Sequence, residues 1–143
     1  MIVMSCSSDK EADQLSHRWT QHQWHHSEKL YVDINHDGKQ ERAVLGLGKT
    51  VIVAVFVQDN VNLIDFIEVF THNPEQQNSL CSGDASLSIN PQQFDLAGDV
   101  FESNPPGYKF CEDCQGLILS DEMCDPFYIY WDHDSHQLRW WRI

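Results

Sequence analysis

The chain has 143 residues, a length that favours one domain, and its 41% hydrophobic and 11% aromatic content is that of a globular protein rather than a disordered one. Nine Lys and Arg stand against 22 Asp and Glu, a net charge of −13. A surface this acidic repels phosphate backbones and anionic headgroups, which argues against nucleic acid and membrane surfaces as partners and for a basic protein or a cation.

From the N-terminus, residues 1–14 are polar and read as a flexible tether, with residues 15–143 as a single β-rich domain. Within the tether, Val3-Met4-Ser5-Cys6 followed by Ser7 and Ser8 resembles the end of a bacterial lipoprotein signal. Such signals place a small residue before a Cys that becomes lipidated. The resemblance implies Cys6 as the lipid site; the alternative is an ordinary polar N-terminus. In residues 15–29, Leu15, Trp19 and His22 or His26 share one helical face, which suggests a short helix. His22 and His26 have the i, i+4 spacing that can hold a metal on a helix. Without an interleaved acid or a third ligand, they read as a solvated polar face.

Residues 30–34 (LYVDI) alternate as a strand, and strands resume at 42–48 (RAVLGLG), 50–57 (TVIVAVFV) and 63–71 (LIDFIEVFT). The glycines of 42–48 allow a bulge or close packing. The links between these strands are too short for crossovers, so an antiparallel meander is expected. VIVAVFV is short and β-branched, a buried strand rather than a membrane span. Residues 73–86 read as a loop. Short strands or a helical turn are expected at Leu87–Ile89 and Phe94–Phe101, a break at Asn104-Pro-Pro-Gly107, and a strand at 117–119. The ending PFYIYWDHDSHQLRWWRI reads as a β-hairpin, with strands 127–131 and 138–142 around DHDSH. The expected fold class is therefore mainly β, or α+β with one short N-terminal helix.

Apart from Cys6, the cysteines are Cys81, Cys111, Cys114 and Cys124, an even set in the C-terminal half. In an exported protein they form two disulfides, with three connectivities open, that pin the loop-rich region between 73 and 125. Two alternatives are zinc held by the C-x2-C of Cys111 and Cys114, and redox chemistry there. Zinc sites usually show a second close pair, and a reactive C-x-x-C needs a cationic setting, whereas Glu112 and Asp113 are acidic.

The segment DINHDGKQE, Asp33 to Glu41, places oxygen donors at alternate positions: Asp33, Asn35, Asp37 and Glu41 by side chain, Lys39 by its carbonyl. Alternate donors suit calcium because the chain curls around the ion, and Gly38 at the sixth position permits the sharp turn. An EF-hand needs an acid at position twelve, where this chain has Val44. The stretch through Leu45 resembles the loops of FG-GAP β-propeller repeats, with an acid at position nine and a strand after it. Only this one hairpin is covered, so the resemblance implies a local calcium turn and not a propeller. The alternative is a metal-free turn held by Asx hydrogen bonds, and His36 is expected to face outward.

No nucleophile elbow, H-E-x-x-H or glycine-rich phosphate loop is present, so the chain is not expected to be an enzyme. The final hairpin is aromatic. Alternation sets Phe127, Ile129 and Trp131 on one face and Tyr128 and Tyr130 on the other. Only one face needs to be core, so Tyr128, Tyr130, Trp131 and Trp141 are candidate partner-binding residues; the alternative is that both faces are covered. In layout the chain is similar to small bacterial periplasmic or outer-membrane-anchored lipoproteins of the inhibitor or immunity type. That likeness implies a protein that occludes a basic cell-wall hydrolase or toxin, with membrane contact only through the lipid. Other readings are an accessory envelope lipoprotein with a scaffold calcium site, and a zinc-binding protein or hydrolase.

Overall fold

A computed structural model describes residues 6–58, 62–91, 93–94, 96–97 and 101–142, the side chains of residues 6–9 excepted. Helix α1 (Cys6–Arg18) is followed by a first antiparallel sheet of β1 (Gln23–Trp24), β2 (Leu30–Val32), β3 (Glu41–Leu47), β4 (Val51–Val57) and β5 (Leu63–Val69). The second sheet runs β6 (Ser86–Asn90), β7 (Gly116–Ser120), β8 (Phe127–Asp132) and β9 (Gln137–Trp141), each strand beside the next. In the first sheet β3, β4 and β5 form the expected meander. β1 and β2 lie end to end along the free edge of β3, β1 against Gly46–Leu47 and β2 against Glu41–Ala43. The protein is thus mainly β with one short helix, as its alternation and short links predict.

β3 and β4 are each buried at six consecutive positions, which an antiparallel sheet shows only when both faces are covered. On one face Ala43, Leu45, Val53 and Val55 pack against Leu117, Phe127, Ile129 and Trp131 of the second sheet. On the other, Val44, Ala54 and Phe56 meet Leu15 of α1, with Trp19, Trp24 and Phe66 around them. The Trp24 ring lies flat on Gly46, where a Cβ would come within 2.8 Å of it. Close packing at a strand glycine is therefore realised, and the bulge falls instead in β5, where Ile64 is the extra residue opposite Val55 and Phe56.

The helix starts earlier than its apolar spacing suggests. It takes in residues 6–14, which the polar composition placed in a tether, and ends at Arg18; residues 1–5 lie outside the described residues. The anchor is a charge that composition cannot interpret. Glu11 is fully buried, accepting from Arg42 Nε at 2.7 Å and Lys29 Nζ at 3.2 Å. Arg42, itself buried, also donates to the Gln58 carbonyl. The helix does not extend to His22, His25 and His26, because Gln23 and Trp24 pair with β3; only one 3-10 turn, His26–Glu28, follows. The i, i+4 pair does not form; His22 Nε2 instead meets the Thr50 carbonyl and hydroxyl, each at 3.0 Å.

Both faces of the final hairpin are covered, which corrects the expected aromatic docking surface. Trp131 belongs to the main core at 9% exposure, while Tyr130 and Trp141 pack with Leu96 and Tyr108 on the outer face, at 2% and 6%. Tyr128 is half-buried, stacked on Trp141 with ring centroids 4.2 Å apart. Leu96, Phe101 and Tyr108 supply this cover, and Tyr130 donates its hydroxyl to the Pro106 carbonyl at 2.9 Å. Alternation identified the two faces but could not show that a distant loop folds over one of them.

The cysteines pair as Cys81–Cys124 and Cys111–Cys114. By loop entropy the first, at a separation of 43 residues, contributes about 4 kcal/mol and the second about 2 kcal/mol. Asp121 organises the longer bridge: its carboxylate accepts the N–H groups of Cys81, Ser82, Met123 and Cys124 at 2.7–3.0 Å. Burial alone would raise the Asp121 pKa, but these four donors outweigh it and hold the carboxyl below its ordinary value.

Two outcomes are expected. Glu11→Ala leaves the buried Arg42 guanidinium without its carboxylate and should cost about 3–5 kcal/mol in urea unfolding, with α1 detaching. Asp121→Asn should cost about 1–3 kcal/mol near neutral pH. A depressed carboxyl stabilises the fold above its ordinary pKa of 3.8 and loses that contribution as pH falls through the lowered value. The two proteins should therefore converge in melting temperature in the acid range.

Candidate calcium turn

β2 leads directly into the acidic turn, and β3 begins at its last residue, so the two strand ends fix where the turn starts and stops. Inside, the Asp33 carboxylate accepts the N–H groups of Asp37 at 3.0 Å and Gly38 at 2.9 Å. Asn35 Oδ1 also accepts from Asp37, at 3.3 Å, and Asp37 Oδ1 accepts the Lys39 N–H at 2.8 Å. Gly38 has φ +88, a left-handed conformation that glycine takes without a Cβ clash. These bonds are the Asx pattern that short acidic side chains favour at turns. They do not exclude an ion, since each carboxylate oxygen keeps a further lone pair.

Glu41 is the unusual member. It opens β3 opposite Val57 and is only 3% exposed. Its Oε1 accepts the Ile34 N–H at 3.0 Å. One oxygen each from Asp33, Asp37 and Glu41 lie within 4.8 Å of one another, and no other such trio occurs among the described residues. Burial, and then the charges of Asp37 and Asp33, push the Glu41 carboxyl up to about 7 against the lowering effect of the Ile34 N–H. Three carboxylates converge here with no cationic side chain paired to them among the ion pairs described. Beside them a cleft runs between Asn35, Gly38 and Glu41 on one side and Val57, Gln58 and Ile64 on the other. The donors are hard oxygens, with the Asn35 amide and the Lys39 carbonyl in the same turn, a set that suits calcium over softer cations.

His36 does not face outward. Its φ of +60 swings the side chain toward the second sheet, where the ring stacks on His133 with centroids 5.0 Å apart. Gln115 completes the link: its Oε1 accepts the Asp33 N–H at 3.0 Å and its carbonyl lies 3.2 Å from His36 Nε2. His133 sits in the turn between β8 and β9, where its N–H donates to the Gly107 carbonyl at 3.0 Å. Gly107 has φ +67, and a Cβ there would lie 1.7 Å from Asp132 Oδ1, so the loop presses directly on that turn. Burial, then the neighbouring His36 and Lys109, lower the His133 pKa. Sequence reasoning missed this network because its members are up to 97 positions apart and no periodicity relates them.

The other candidate residues fall elsewhere. Cys111 and Cys114 are joined to each other, so their sulfurs are not the free thiolates that zinc needs. Cys6 opens α1, and its side chain lies outside the described residues. Comparisons of the chain with protein-family models, with curated proteins and with solved structures found no match.

Gly38→Ala offers a clean test of the turn. No atom lies within 4 Å of the added methyl group, so the cost is purely conformational. It should be about 1–2 kcal/mol, measured by thermal unfolding.

Proposed function

We propose that the chain is an exported bacterial binding protein whose acidic turn is locked by calcium, and that it acts as an inhibitor or immunity protein against a basic hydrolase or toxin. The observation that carries the calcium part is the buried Glu41 carboxylate set against Asp33 and Asp37. Like charges gathered around a buried carboxylate are unfavourable on their own, and a divalent cation reverses the sign of that interaction. Two disulfides are at home in an oxidising compartment outside the cytoplasm, where calcium is abundant enough to fill weak sites.

The inhibitory part rests on the net charge of −13, which steers basic partners by long-range attraction. With Tyr130, Trp131 and Trp141 buried, the exposed large apolar residues among those described are Phe70, Phe94, Phe110, Tyr31 and Met123, between 41% and 73% exposed. They are spread over different elements. That spread, together with the covered hairpin, favours a second reading in which the protein is an accessory envelope component and the calcium turn and disulfides are scaffold.

Titration calorimetry with calcium should give a dissociation constant of about 10⁻⁴–10⁻³ M. Saturating calcium should raise the melting temperature, and Glu41→Gln should abolish both effects. Equal melting curves with calcium and with chelator would sink the calcium reading. For the partner, the immobilised protein should retain a basic hydrolase or toxin from envelope extract and reduce its activity. If retained enzymes keep full activity, or none is retained, the accessory reading stands.

A further inference from the structure

The stretch from Lys109 to Gln115 is tied to the molecule unevenly. Lys109, Phe110, Glu112 and Asp113 are all exposed, and no hydrogen bond joins them to another described residue. What closes the stretch is the Cys111–Cys114 bridge, with the Cys114 N–H donating to the Cys111 carbonyl at 3.1 Å. Cys111 is half-buried and Cys114 only 1% exposed, so the bridge fastens an exposed loop to a buried point.

The next residue holds the acidic turn. Gln115 Oε1 accepts the Asp33 N–H at 3.0 Å, and its carbonyl faces His36 Nε2 at 3.2 Å and accepts from Gln93 Nε2 at 3.1 Å. Gln93 is 4% exposed, and its own N–H donates to the Cys114 carbonyl at 2.9 Å. Downstream, Gly116 opens β7 so close to β8 that a Cβ would come within 2.8 Å of the Ile129 carbonyl oxygen. Gln115 is therefore set between the second sheet on one side and the disulfide on the other.

We propose that Cys111–Cys114 is a redox switch for the acidic turn. Oxidised, it holds Gln115 against Asp33 and His36; reduced, it frees the loop and loosens the turn. The two bridges differ in what they hold. Cys81–Cys124 spans 43 residues, and Asp121 accepts the N–H of both its cysteines; Cys111–Cys114 spans 3. Closing so short a loop adds little stability, so opening it leaves the rest of the fold standing. The reductant is a dithiol. Its thiolate attacks Sγ of Cys111, the more exposed cysteine, and Cys114 leaves as a thiolate and takes a proton. The second thiol then displaces Cys111 from the mixed disulfide. Two electrons and two protons pass to the protein, and the dithiol becomes a disulfide. Without the cationic setting of a catalytic C-x-x-C, the pair is the substrate of a reductant and not itself a redox catalyst. The switch acts on the turn with or without an ion in it. Where the calcium reading also holds, linkage requires that reduction weaken calcium binding and that calcium protect the bridge.

The test uses the full chain. Dithiothreitol is titrated, free thiols are trapped by alkylation, and mass spectrometry locates them. Cys111 and Cys114 should be alkylated at a dithiothreitol concentration at least about tenfold below the one that opens Cys81–Cys124. In that partly reduced protein, hydrogen exchange of residues 33–41 should speed up at least about threefold, while residues 51–57 keep their protection. A Cys111→Ala, Cys114→Ala variant should match it without reductant. Gln115→Ala should loosen the turn with both bridges intact. Melting curves show that each variant folds, and should one fail, the reduced wild type carries the comparison. Calorimetry should find calcium at least about threefold weaker in the reduced protein. Binding in neither form is a failure of the calcium reading, and exchange then decides the switch. The switch is refuted if the two bridges open together, if the turn exchanges equally in oxidised and reduced protein, if Gln115→Ala leaves the turn unchanged, or if calcium binds both forms equally.

Discussion

Everything in this molecule follows from one constraint: β3 and β4 are apolar on both faces. A sheet of that kind is stable only between two covers, and the chain supplies them by different means. The second sheet covers one face with Leu117, Phe127, Ile129 and Trp131. The other has a single helix, whose apolar contribution is chiefly Leu15, with Trp19 and Trp24 beside it. A helix of 13 residues with so little apolar surface would be marginal alone, and the carboxylate of Glu11 makes up the difference by reaching Arg42 through the sheet face. The cover on that side is thus partly ionic, and the salt bridge matters more than its surface counterparts because neither partner meets water.

The strands were legible because their signal is local. Alternation and β-branching in VIVAVFV and LIDFIEV identify β4 and β5, and short links force them to be antiparallel. The acidic turn was legible for the same reason, since Asp33, Asp37 and Glu41 sit within nine positions. What could not be read was set by distance along the chain. The helix boundary depends on Glu11 finding Arg42, 31 residues away. The burial of Tyr130 and Trp141 depends on Leu96 and Tyr108 in a loop with no pattern of its own. His36 was misjudged because its environment comes from Gln93, Gln115 and His133. In each case the residue type was noticed and its neighbours were missing.

The acidic turn is more deeply tied into the fold than its surface position suggests. Gln115, in the link before β7, holds the Asp33 N–H with its side chain and faces His36 with its carbonyl. Adjacent in sequence is Cys114, whose carbonyl accepts the Gln93 N–H at 2.9 Å. One short segment therefore connects the turn, the second sheet and the smaller disulfide. Oxygen donors placed by such contacts would lose little freedom on binding an ion.

The disulfides are nested: the first of the four cysteines pairs with the last, and the second with the third. A chain that emerges from its N-terminal end presents Cys111 to Cys81 well before Cys124 is available. Cys111 and Cys114 thus become available to Cys81 before its native partner does, and native pairing needs either delay or thiol–disulfide exchange. The intervening hairpin of β6 and β7 lies inside the covalent ring that Cys81 and Cys124 close. Maturation of this protein is consequently a matter of order as well as energy, with the second sheet sealed only after its third strand is about to form.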